Sequence, residues 1–188
     1  MGRMTNINPA AGTRSRVPAN PLGLTGMDHV ALPARDPGRA ARFYEQVLGG
    51  TIYYATGFSE QDRELGRVPH IFVHVGNVLI QVAYPSDGQS FPDPDNPSLW
   101  PHWSFGAGPE VLDAMCERLR EEGIPFSGPN SHLNVDAVSI YFMDTEGNKL
   151  EICTWEPYPT EKTEMLGTPG VTLDYPSLAH QWQPRDAG

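Results

Sequence analysis

Two stretches of the chain run through apolar and polar residues in the same order. Met27 to Pro33 alternates as a strand does, with His29 and Ala31 on one face and Val30 and Leu32 on the other. Asp36-Pro37 then supplies an N-cap and a proline at the first helical position. Phe43, Tyr44, Val47 and Leu48 fall at helical spacing, and Gly49-Gly50 ends the helix. Thr51 to Ala55 reads as a strand and Gly57 to Pro69 as a polar loop. His70 to Val75 and Asn77 to Tyr84 read as a hairpin turning at Gly76-Asn77. After a proline-rich stretch the pattern restarts. His102 to Gly106 is a strand, and Pro109 opens a helix whose Leu112, Met115, Cys116 and Leu119 form the buried stripe. Gly123 stops it, and a short strand follows Pro125-Phe126. Val135 to Met143 and Lys149 to Trp155 make the last hairpin, around the turn Asp144 to Asn148. The predicted unit is β-α-β-β-β, used twice, in an α+β chain.

This pattern sets the expected organisation. Residues 1–26, rich in Pro, Gly, Asn and Thr, read as a mobile arm. Residues 27–85 form the first module, 86–101 a linker, 102–156 the second module and 157–188 a C-terminal extension. The extension holds Leu166, Val171, Leu173, Tyr175, Leu178 and Trp182, so it is expected to pack on its own domain or on a partner subunit.

Charge and composition narrow the partners. A net charge of −10 argues against nucleic acid or an anionic membrane, both of which need clustered Lys and Arg. No run of about 18 apolar residues predicts a membrane span. Arg3, Arg14 and Arg16 are followed by no apolar stretch of the kind a signal peptide needs. The 2 cysteines, Cys116 and Cys153, lie far apart and outside any framework, so a reducing cytoplasm is the expected location.

The repeat also places chemistry. Each copy opens with a strand histidine, His29 or His102, and closes with a polar strand residue, Gln81 or Glu151, at nearly the same interval. Two imidazoles and a carboxylate at matching points of a duplicated unit make a plausible divalent-metal set. Glu151 lies between Leu150 and Ile152, so its charge needs a metal, a basic partner or an edge position facing water. Gln81 reads equally as a fourth ligand or as a hydrogen bonder to the ligands. His74 is read as facing the helix or the rim, Cys153 as a small buried filler and Trp103 as part of the sheet–helix core.

Three segments carry a family resemblance: Asp28-His29-Val30-Ala31-Leu32, the helix signature from Ala41 to Gly49 (ARFYEQVLG), and the closing run from Ile140 to Glu151 (IYFMDTEGNKLE). In order and spacing they resemble the vicinal oxygen chelate superfamily. That group takes in glyoxalase I, methylmalonyl-CoA epimerase, fosfomycin and bleomycin resistance proteins and extradiol ring-cleaving dioxygenases. The resemblance implies two β-α-β-β-β modules forming an open, cup-shaped mixed sheet with helices outside and a metal on the concave face. Asn130-Ser131-His132, followed by Tyr141, Asp144, Gly147 and Glu151, nearly reproduces the extradiol signature, with Thr145 standing where that signature has Pro. It implies that His132 and Tyr141 hydrogen-bond substrate and dioxygen; without the resemblance, His132 reads as a solvated loop residue.

The expectation is therefore a divalent-metal enzyme acting on a small substrate that chelates through adjacent oxygens. Extradiol-type dioxygenation with Fe(II) leads. A metal-dependent isomerase or lyase using Mn, Ni, Co or Zn is one alternative, and a metal-free bleomycin-resistance-type drug-binding protein is another. A homodimer is expected.

Overall fold

The computed structural model describes residues 22, 27–85, 91–92, 101–132, 135–166 and 182–185. The expected arm at 1–26, apart from Leu22, and most of the linker lie outside the described residues, as does Trp100. In the first module, β1 (His29–Pro33) leads to α1 (Pro37–Gln46), then β2 (Thr51–Thr56), a short α2 (Glu60–Glu64), β3 (His70–Val75) and β4 (Val78–Ala83). The second module runs β5 (Trp103–Gly106), α3 (Pro109–Glu121), β6 (Phe126–His132), β7 (Val135–Met143) and β8 (Lys149–Thr154). A 3-10 turn (Thr160–Lys162) and β9 (Glu164–Leu166) follow.

The duplication shows in the strand orders, β1-β4-β3-β2 in one sheet and β5-β8-β7-β6-β9 in the other. In both, the opening strand pairs parallel with the closing one and the rest of the module pairs antiparallel. The expected α+β architecture of two modules making an open cup is present. The predicted strand at His102 begins one residue later, at Trp103. The loop from Gly57 to Pro69 contains α2, whose Ser59–Asp62 capping box lets two backbone donors find side-chain acceptors. Gly57 has φ +84, and a Cβ there would meet the Val68 carbonyl oxygen at 2.2 Å, so this close approach requires glycine.

One apolar core runs through both modules. Asp36 accepts from the Arg39 N–H at 2.9 Å, fixing the start of α1, and Ala40, Ala41, Phe43 and Tyr44 of that helix are fully buried. Val30, Leu32, Val73, Ile80 and Val82 face it from the first sheet. Leu112, Cys116 and Leu119 of α3 meet Ile140, Phe142, Leu150 and Ile152, with Trp103 packed alongside. Alternation then sends the remaining residues of each strand to the open face.

The modules are tied where β1 ends. The Arg35 and Asp36 N–H groups donate to the Glu146 carboxylate at 2.7 and 3.4 Å, and the Asn148 amide donates to the Pro33 carbonyl at 3.2 Å. Tyr44 Oη donates to Asp144 Oδ2 at 2.8 Å, where the Asn148 amide also donates, while the Glu146 and Asn148 N–H groups donate to Oδ1. The chain's own C-terminal end closes the outside of this junction. Trp182, 5% exposed, meets Phe43 edge-on at 5.6 Å and donates its indole N–H to Glu122 at 2.9 Å; its carbonyl accepts from Arg39. The described part of the extension therefore packs on its own domain.

Candidate metal centre

Glu151 stands on β8 opposite Tyr141 of β7 and Ser104 of β5, all on the open face. It is 8% exposed. Burial alone would push its carboxyl up, but hydrogen bonds from His102, Ser139, Ser104 and Tyr141 outweigh that and hold it down at about 2. The contacts are direct: His102 Nε2 to Glu151 Oε2 is 3.2 Å, and Tyr141 Oη donates to Oε1 at 2.9 Å. Among the described residues the acid is thus neither at a water-facing edge nor held by Lys or Arg; an imidazole and hydroxyl donors hold its charge.

His132 joins the same group. It ends β6 half-buried, with Nε2 at 3.0 Å from Tyr141 Oη and 3.2 Å from Ser139 Oγ. Burial pushes its imidazole below the usual value, the nearby Glu151 charge opposing and His102 assisting. Because the phenol gives its proton to Glu151, His132 Nε2 carries the hydrogen that Tyr141 Oη accepts. A continuous relay results, from imidazole through phenol to carboxylate. The alternative sequence reading of His132 as a solvated loop residue is replaced by a half-buried strand end.

The first module contributes less directly. His29 lies on the open face of β1, and its Nδ1 pairs with Asp28 Oδ2 at 2.8 Å. Gln81 is beside Ala31 and Phe72 on the same face. Among the described residues, no three His, Cys, Asp or Glu side chains are grouped so as to hold a metal ion; His102 and Glu151 meet, and His29 stands apart from them. Of the two places expected for His74, the helix-facing one is excluded. Its register opposite Leu79 puts it on the open face with His29, because Val73 and Val75 take the core side. Cys153 is buried, and burial pushes its thiol up, so it stays neutral.

Two serines were not singled out as site residues in the sequence. Ser139, fully buried, precedes Tyr141 by two and shares its face, and Ser104 pairs with Glu151 across β5 and β8. Strand alternation from Tyr141 and Glu151 was the available signal.

Comparison with known proteins places this geometry. The Glyoxalase/Bleomycin resistance protein/Dioxygenase superfamily profile matches residues 26–152. The Metapyrocatechase of Geobacillus stearothermophilus is 24% identical over 165 residues, covering 81% of this chain and 47% of that protein. The chain thus spans about half the length of that curated relative. Among solved structures, the fosfomycin resistance protein FosX from Listeria monocytogenes, complexed with Mn(II) and sulfate ion, is similar with a TM-score of 0.54 and 18% identity, over 70% of this chain and 93% of that one. A glyoxylase/bleomycin resistance protein/dioxygenase domain from Frankia sp. EAN1pec gives 0.54 at 25% identity, over 70% and 92%. Fold and profile agree across both modules, and the chain belongs to the Glyoxalase/Bleomycin resistance protein/Dioxygenase superfamily.

Proposed function

We propose that the chain is a divalent-metal-dependent enzyme acting on a small organic substrate through two adjacent oxygens, with extradiol-type dioxygenation as its reaction. The superfamily includes metal-dependent enzymes, and the similarity to Metapyrocatechase supports the oxygenase branch. The observation that carries the reading is the convergence of His102, Tyr141 and His132 on the buried, ionised Glu151.

His102 and Glu151 make a donor pair that suits a divalent cation, and His29, which stands apart from them, is the proposed third ligand. A carboxylate kept charged without Lys or Arg among the described residues, against an imidazole, is a donor pair that a cation stabilises. The Asp28 carboxylate on His29 Nδ1 fixes the hydrogen there and leaves Nε2 as the lone-pair nitrogen, the usual support of a ligating histidine. His29, His102 and Glu151 are the proposed ligands. Gln81 is a fourth ligand or a hydrogen bonder to them. Two histidines and one carboxylate with open positions favour iron(II). Such an ion supplies Lewis-acid polarisation of the substrate oxygens.

The rest falls to side chains. His132 is neutral, its Nε2–H directed at Tyr141, so Nδ1 is the nitrogen that takes up a proton from a substrate hydroxyl. Tyr141 and Ser139 hold that ring in place while anchoring Glu151. The test is elemental analysis of protein purified without chelators, together with oxygen uptake on a panel of catechols. Bound metal and uptake by the iron-loaded protein are expected. No uptake across the panel removes dioxygenation, and a full metal complement in His29→Ala or Glu151→Ala removes the metal reading altogether.

A further inference from the structure

We infer that the C-terminal extension positions His132, by adding β9 to the outer edge of β6 at the point where the pairing of β6 with β7 loses step. It rests on the role proposed for His132 and names the part of the chain that holds its ring in place.

The superfamily profile ends at Ile152, so β9 lies beyond it. Within the matched part β6 is the edge of its sheet, and β9 covers that edge. On the inner side, Asn130 stands opposite Ser139 and Ser131 opposite Val138. The ladder then slips, and His132 meets Val135 where unbroken pairing would give Ala137. On the outer side nothing slips: Asn130, Ser131 and His132 face Glu164, Met165 and Leu166 in turn. The regular pairing that fixes the His132 backbone is therefore the one made by the extension. The ring depends on that backbone. Its Nε2 leans back to Ser139 and Tyr141, which stand opposite Asn130 and Ser127 and not opposite His132 itself. A small rotation at the strand end would swing the ring off both oxygens.

The extension is in turn tied down on either side of this contact. Ser131 Oγ donates to the Glu164 carbonyl at 3.3 Å. The Thr163 hydroxyl, 3.4 Å from that Oγ, donates to the Thr160 carbonyl at 2.9 Å. Upstream, Asp113 of α3 accepts from Tyr158 Oη and, at 3.0 Å, from Lys162 Nζ. Lys162 and Asp113 both face water, so their ion pair adds little by itself. Tyr158 packs against the core and carries the anchor. Tyr158, the 3-10 turn and β9 together brace the end of β6 against α3.

Replacing Met165 and Leu166 together by proline tests this. Successive N–H groups of a strand point to opposite sides, so the pair removes whichever of the two faces β6. Met165→Ala with Leu166→Ala keeps both N–H groups and is the control. NMR titration of His132 in the full chain, with zinc added, reads the ring whether or not any catechol is turned over. In the wild type, burial holds this imidazole below its usual value; Glu151 opposes, His102 assists, and Tyr141 Oη lies against it. Released from β9, the ring gains water and should titrate higher in the proline variant and as in the wild type in the alanine one. In the iron-loaded proline variant kcat should fall about ten-fold with KM for catechol within about two-fold, and the acid limb of its pH profile should move up. A His132 titration that the prolines leave unchanged overturns the inference and leaves the dioxygenase reading intact. No turnover by the wild type, with His132 shifted in the proline variant, removes the reaction and supports the brace. Should the proline chain fail to fold, Asp113→Ala decides: a His132 titration moved upward supports the brace, and an unmoved one overturns it.

Discussion

On the open face of the first sheet, His29, Tyr53, Tyr54 and His74 are exposed, whereas Ser139, Tyr141, Glu151 and Cys153 on the matching face of the second are buried. Duplication makes the two faces topologically equivalent, and the difference lies in what each must stabilise. A charge withdrawn from water needs every donor around it in place, because a partly satisfied buried network is worse than none. The second face meets that demand with an imidazole, a phenol and two serines around Glu151. The first face carries no charged strand residue and leaves its rings open to solvent. One half holds a charge away from water and the other leaves two tyrosine rings open to it.

The comparison breaks most visibly if the charge is removed. Glu151→Gln keeps the shape, but its NH2 opposes one of the two donors, His102 or Tyr141, and the charge is gone. Retained metal and metal-dependent turnover are both expected to fall by at least about 100-fold, since loss of an outer-shell partner alone reaches that range. Elemental analysis beside a turnover assay checks it. A variant with its full metal complement would make the second face a polar core and nothing more.

A smaller effect is expected at the junction, where Tyr44 and Asp144 are wholly internal. Tyr44→Phe strips one donor from a buried carboxylate and should cost about 1–3 kcal/mol in urea unfolding, with the first sheet's open face untouched. Burial raises Asp144 from 3.8 to about 6, although Asn148, Tyr44 and the Glu146 N–H all oppose it. The folded state therefore holds this proton more tightly than the unfolded chain does. The stabilisation linked to that proton is complete below about pH 4 and is lost as pH rises through about 6. Relative to Asp144→Asn, the wild type should lose stability across that window. A constant difference would mean that the carboxyl is ionised throughout.

How far the sequence foretold this contrast depends on which force acts. Strands, helix stripes and the Asp36 cap were legible because each follows a local period or a single capping interaction. Glu151 stood out because an acid between Leu150 and Ile152 must find a partner, and the repeat put His102 in the same candidate metal set. What escaped was set by register. The bulge that brings Tyr53 and Tyr54 to one face has no mark in the residues, and His74 was left between helix side and rim for want of the pairing that fixes its face. The docking of Trp182 between Phe43 and Glu122 joins residues far apart in sequence, which no local pattern reports.

The smallest expected effect sharpens the comparison by its size. Tyr53→Ser deletes a whole ring, yet the ring is 69% exposed and its described contact is an edge-on meeting with His74. A surface change of this kind should shift unfolding free energy by no more than about 0.5 kcal/mol. Tyr141, 2% exposed and bonded to both Glu151 and His132, is a contrasting position where even the loss of one hydroxyl in Tyr141→Phe should be felt more strongly. Urea titrations of the two variants side by side provide the measurement. If Tyr53→Ser proved the more damaging, the first face would be a covered surface in the folded protein, and the division into a charge-holding half and a ring-presenting half would not stand.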